Sequence, residues 1–160
     1  MAKVPQSRRQ TTAAGQGGFS LVEVMIVIAL IGTLSAIAVP NYIAYREKAK
    51  IAQAISDIRN IEKMIANFAI DNDRLPVSLA EIGLGGLRDP WGTPYQYLRV
   101  EGTPRGKLRK DRFLVPVNSD YDLYSKGRDQ ASVSPFTAKA SQDDIVRAND
   151  GGYVGLVSEF

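Results

Sequence analysis

The stretch Gly17–Leu30, GGFSLVEVMIVIAL, decides how the rest of the chain is read. It opens an apolar run, residues 19–39, that is 21 residues long and carries one charge, Glu23. As a helix at about 1.5 Å per residue, such a run spans ~32 Å, one hydrocarbon core. Its β-branched residues suit a buried strand, but the run is much too long for one. An ionised carboxylate deep in a membrane costs ~2.5–3.5 kcal/mol on insertion scales. A segment that only anchors has no use for Glu23.

Upstream, residues 1–18 are polar, rich in Gln, Ser, Thr and Gly, and lack periodicity, so they read as disordered. They hold Lys3, Arg8 and Arg9 and no acid, which accounts for the whole formal charge of +3. The remainder balances at 17 basic and 17 acidic residues. A nucleic-acid binder shows a basic excess on its folded part, so that class is disfavoured. The chain has no cysteine and no histidine. Disulfides, thiolate chemistry, His-ligated zinc and Ser-His-Asp catalysis are thereby excluded, while an oxidising compartment stays open.

Downstream, Pro40 should kink a continuing helix and free a carbonyl near residue 36. Beyond it the pattern turns one-sided. Ile51, Ile55, Ile58, Ile61, Ile65 and Phe68 form a helical stripe, with Glu47, Lys48, Asp57, Arg59, Glu62 and Lys63 off it. The helix should fail in DNDRLP at 71–76. If continuous it runs from about 20 to 70, roughly 75 Å. In the remainder, PVSLAEIGL suggests one helical turn, while TPYQYLRVEG, DRFLVPVN and YDLYS read as strands. The basic segment TPRGKLRKD reads as a hairpin loop between the first two. From Lys126 to Asp143 the chain looks irregular, and the tail DDIVRANDGGYVGLVSEF is given no element. Three short strands need the isoleucine stripe to bury one face. The fold class is therefore α+β: a long N-terminal helix packed on a small antiparallel sheet with irregular C-terminal loops. Four regions follow, 1–18, 19–39, 40–70 and 71–160.

Three readings of the apolar run compete. A secretory signal peptide has support from the leading basic residues and from Ala36-Ile37-Ala38, a small-x-small pattern that allows cleavage after Ala38. A one-pass anchor leaves Glu23 unexplained. The third rests on the string GGFSLVEVMIVIALIGTLSAIAVPNY, which resembles the N-terminus of type IV pilin-like proteins. That resemblance implies cleavage by a prepilin peptidase on the cytoplasmic side between Gly18 and Phe19, and N-methylation of Phe19. It matches Glu23 to the family's fifth-position glutamate and Pro40 to its kinking proline, with Gly32 a second place for the helix to deform. Cleavage after Gly17 instead moves Glu23 to the sixth position. Phe19 and Glu23 are four residues apart and share a helical face. The carboxylate can meet the new α-amine on its own chain or a neighbour, and removing either partner of a desolvated pair strands the other. Charge does not orient the segment, because Arg46, Lys48 and Lys50 answer Lys3, Arg8 and Arg9. The cytoplasmic leader is what the resemblance implies.

Past residue 70, LRDPWGTPYQYL and SDYDLYSKGRD resemble the major pseudopilins of type II secretion systems. Trp91, between the turns Asp89-Pro90 and Gly92-Thr93-Pro94, is placed to cover a core edge. This resemblance implies a structural, non-enzymatic subunit, single-pass in the bacterial inner membrane with its head in the periplasm. It polymerises with itself and leaves the lipid as it does so. It works with minor pseudopilins, a prepilin peptidase/methyltransferase, a platform protein and an assembly ATPase, and helps export folded proteins. A surface type IV pilus subunit is the rival within the family, and a secreted binding module or hydrolase cut after Ala38 the rival outside it. The resemblance also implies Ca2+, bound by the Leu123 carbonyl, Ser125, Asp129, Asp143 and Asp144, an oxygen set that suits calcium. Here RDQASVSPFTAKASQDD is longer than the family's segment and lacks its glycines, and the same aspartates also serve as turn caps. The basic loop with Arg99, Arg105, Lys107, Arg109, Lys110 and Arg112 is expected to be solvated, or to face an acidic patch near Asp143 on the next subunit.

Overall fold

A computed structural model describes residues 18–160. The reading of residues 1–18 as disordered lies, for residues 1–17, outside the described residues. The chain divides into two units, one ending at Tyr42 and the other Ile43–Phe160. Helix α1, Leu21–Asn72, supplies the regular structure among the described residues of the first unit and the opening of the second. It contains Pro40, and beside it the Asn41 side-chain amide donates to the Ile37 carbonyl at 3.1 Å. It ends where the sequence predicts: Asn72 turns its amide onto the Phe68 carbonyl (2.9 Å), Asp73 takes a left-handed φ of 51°, and Pro76 follows.

In the second unit α1 buries Ala54, Ile58, Ile61 and Ile65, at steps of four, three and four. Each isoleucine contributes about 1.5–3 kcal/mol by leaving water. Ile51 and Ile55 are half-buried at the margin, and Phe68 leaves the core, its ring centre 5.1 Å from the Arg74 guanidinium. The helix packs on an antiparallel meander of β1 Gln96–Arg99, β2 Tyr121–Ser125, β3 Ile145–Ala148 and β4 Tyr153–Leu156. Tyr121, Leu123 and Ile145 face the helix. Val146 and Ala148 point the other way and join Val117, Phe136 and Val157 in a second core. The loop after β2 covers that second face, so every residue of β3 is buried.

Two expectations about strands are corrected. DRFLVPVN is no strand: Asp111 Oδ1 accepts from the amides of Phe113 (2.8 Å) and Val115 (2.9 Å), bending the chain at Leu114, φ 62°. Pro116, without an N–H, then allows a single bridge to Lys110. β1 therefore pairs directly with β2, Gln96 opposite Tyr124, and TPRGKLRKD belongs to a long excursion rather than a hairpin loop. The tail left unassigned contains β3 and β4. Their turn, Asn149-Asp150-Gly151, has φ of 53°, 52° and 91°, the left-handed geometry that Asn, Asp and Gly tolerate.

Candidate functional site

Gly18 and Phe19 precede the helix without regular structure, and Phe19 is 89% exposed. Ser20 accepts the Glu23 amide on its Oγ (3.2 Å), while Glu23 Oε2 accepts the Ser20 amide at 2.7 Å. This reciprocal pair is a capping box, and Ser-x-x-Glu was legible in the sequence as one. It sets the carboxylate one residue from the Gly18–Phe19 bond. Phe19, Glu23, Val24, Ile26 and Val27 line one open apolar hollow. Every large apolar side chain from Leu21 to Val39 is exposed, and the helix is long and apolar enough to cross a membrane. Nothing within 4 Å would meet a side chain at Gly32.

The residues expected to bind calcium are placed near one another but are turned to other partners. Ser125 is buried and donates to Asp89 Oδ2 (2.5 Å), and accepts the Gly127 amide (3.1 Å). Asp143 Oδ2 accepts the Asp129 amide at 2.9 Å, and Asp129 Oδ1 accepts the Ala131 amide at 2.8 Å. Gly127, φ 63°, lies so close that a Cβ would fall 2.1 Å from the Asp143 carbonyl oxygen. Leu123 is buried in β2 against the helix. Asp144 is fully buried, and its Oδ2 accepts from Arg109 Nη2 (2.6 Å) and Ser132 Oγ (2.5 Å). With burial raising it and the Ser132 hydroxyl and the guanidinium lowering it, its carboxyl stands at about 6, above the ordinary carboxylate range. Among the described residues no three acidic side chains gather around one point that could hold a metal ion. As a set, these donors do not fit calcium.

Arg109 itself corrects the solvated-loop expectation, being only 4% exposed. A second buried arginine ties the sheet to the helix. Arg147 donates through Nε to Glu62 Oε1 (2.7 Å), through Nη1 and Nη2 to both Asp120 oxygens (2.7 Å each), and lies 4.0 Å from the Tyr121 ring centre. Glu62 also accepts from Arg59 Nη1, at 3.0 Å. Beside it, Asn118 donates to Asp122 Oδ1 (2.9 Å) and to the Arg147 carbonyl (3.1 Å). Burial raises the Asp122 carboxyl, and the Arg109 amide and Asn118 hold it back. Trp91 covers the core edge as expected, its Nε1 donating to Glu47 Oε1 at 2.9 Å.

Residues 14–39 match the family described as "Prokaryotic N-terminal methylation motif". The chain is 35% identical over 140 residues to "Type II secretion system core protein G" of Dickeya chrysanthemi, covering 85% of this chain and 88% of that one. It is 35% identical over 135 residues to the protein so named in Klebsiella pneumoniae, with 81% and 92% covered. With that of Escherichia coli K12 it shares 40% over 134 residues, 81% and 89% covered. No solved structure matches significantly.

Proposed function

The chain belongs to the family of type II secretion system core protein G, and on that premise we propose that it is a major pseudopilin, the structural subunit of a pilus-like secretion filament. The observation that supports this best is the exposed apolar stretch of α1 with the Ser20–Glu23 cap one residue from the Gly18–Phe19 bond. Before assembly, lipid covers Leu21–Val39. Assembly exchanges lipid for the same segment of neighbouring copies, an environment nearly as apolar, so the transfer is cheap and packing decides the outcome.

In this reading a prepilin peptidase cuts after Gly18 on the cytoplasmic side and the new Phe19 amine is methylated. The amine then stands beside the carboxylate that already holds the Ser20 amide. A subunit out of register buries one charge without the other, and that penalty selects the correct insertion depth. The head, 71–160, stays on the periplasmic side, and the ATPase, platform protein and minor pseudopilins act as they do for the family. The role is structural rather than enzymatic. No observation favours the surface-pilus or secreted-module rivals.

Intact mass of the mature protein tests the processing. The expected species starts at Phe19 and carries one methyl group. A species starting at Val39 would overturn the reading.

A further inference from the structure

The structure assigns to Arg109 a role that the resemblance gives to calcium: it meets Asp144, one of the five residues expected as ligands, and its guanidinium is a built-in cation that closes the loop after β2 without a metal ion. That loop, 126–144, has little core of its own besides Phe136. What it has is a charge at its centre. Arg109 Nη1 donates to Ser132 Oγ (2.6 Å) and the Val133 carbonyl (2.7 Å), and Nη2 donates to Asp144 Oδ2. A carboxylate, a hydroxyl and a carbonyl are the donor classes calcium takes, and here they converge on a guanidinium. Its faces are covered too, with ring centres of Tyr124 at 4.6 Å and Phe136 at 5.2 Å. The backbone of Arg109 is fixed in turn, its amide on Asp122 Oδ2 (2.7 Å) and its carbonyl accepting the Val117 amide (3.1 Å).

The electrostatics favour one occupant. One buried carboxylate and one guanidinium make a neutral pair. A divalent ion touching Asp144 would sit against a like charge in a dry site, and it needs six to eight oxygens. The spare oxygen, Asp144 Oδ1, is a single buried acceptor without a partner, and Arg109 Nε is a buried donor without one on the other side of the pair. Arginine's planar fork suits this position and a lysine's point charge does not. The loop's length and missing glycines agree, because a chain wrapped around a side chain needs no tight turns about an ion.

The inference concerns how the head holds together and is independent of filament assembly. The full chain in detergent is melted, and loop 126–144 is probed by limited proteolysis, in EGTA and in millimolar calcium chloride. The expected result is the same midpoint and the same cleavage rate in both. A rise of more than about 5 °C in calcium, or protection that needs it, overturns the inference. Arg109→Gln is expected to speed loop cleavage at least about tenfold in either buffer, because it strands Asp144. Resistance equal to wild type would also overturn it. Should Arg109→Gln fail to fold, Asp144→Asn keeps the shape and breaks the pair, with the same expectation, and the wild-type comparison stands alone.

Discussion

Helix α1 contains two stretches built from the same residue types with opposite fates. From Leu21 to Val39 the valines, isoleucines and leucines are all exposed, and the one acid, Glu23, is held by its own N-terminal cap. From Ala54 to Ile65 the stripe Ala54, Ile58, Ile61 and Ile65 is buried under the sheet, and the neighbouring acid, Glu62, is met by Arg147 from β3 and by Arg59. The second stretch is complete within one chain. The first is not: its apolar surface is covered by nothing in the same chain. The contrast predicts that damage in the two stretches will be read by different assays.

The largest effect falls on Glu23. Glu23→Gln or Glu23→Ala should reduce sedimentable filaments by tenfold or more, measured by shearing and immunoblot, while the melting midpoint of the head stays at the wild-type value. Normal filament yield from both variants would break the comparison, because the acid would then be only a helix cap, worth about 0.5–2 kcal/mol.

Next comes Arg147. Arg147→Met keeps the stem and removes the charge, leaving Glu62 and Asp120 without their partner. Urea unfolding should show a loss of about 3–5 kcal/mol. Its loss should be matched by neither Arg59→Met nor any substitution at an exposed lysine, since surface pairs contribute only ~0–1 kcal/mol.

The apolar residues sharpen the contrast most directly. Ile61→Ala, in the core, should cost the head about 2–5 kcal/mol. Ile28→Ala, chemically the same change on the same helix, should leave urea unfolding of the head unaltered and act only on insertion or filament yield. Equal losses in urea would mean that Ile28 is covered within the chain, contrary to its 61% exposure.

How much of this was legible follows from the range of the interactions. α1 was readable to within about two residues at each end, because 3.6-residue periodicity, Ser20 and Asn72-Asp73 are all local signals. β1 and β2 were readable from alternation between turn-formers. The β3–β4 hairpin carried an equally local signal in Asn149-Asp150-Gly151, which was missed because buried β3 does not alternate. DRFLVPVN alternates well enough to look like a strand, yet Asp111 bends it into a turn. The two buried arginines had no local signal at all. Arg109 sits in a basic run, and its partner Asp144 is 35 residues away; Arg147 and Glu62 are 85 apart. Only the fold brings them together, which is why a reading of the basic run by its composition puts Arg109 in solvent.

The smallest effect is a pH dependence confined to the second stretch and its sheet. Burial holds the Tyr97 phenol protonated, up to about 12, with its hydroxyl donating to the Pro76 carbonyl at 2.8 Å. Burial also raises Tyr95, whose hydroxyl donates to Asp57 Oδ2 at 2.9 Å, and Tyr121. In the unfolded chain each titrates near 10. The folded state therefore binds more protons between pH 10 and 12, so stability is fully present below pH 10 and falls as pH rises through that window. Tyr97→Phe removes one of these groups and its hydrogen bond. It should lower stability slightly at pH 8 and make the decline between pH 10 and 12 shallower, as followed by urea midpoints across that range. An unchanged slope would mean that Tyr97 ionises as freely in the fold as out of it, and that this edge of the sheet is wetter than its packing on Tyr121, 5.4 Å between ring centres, requires.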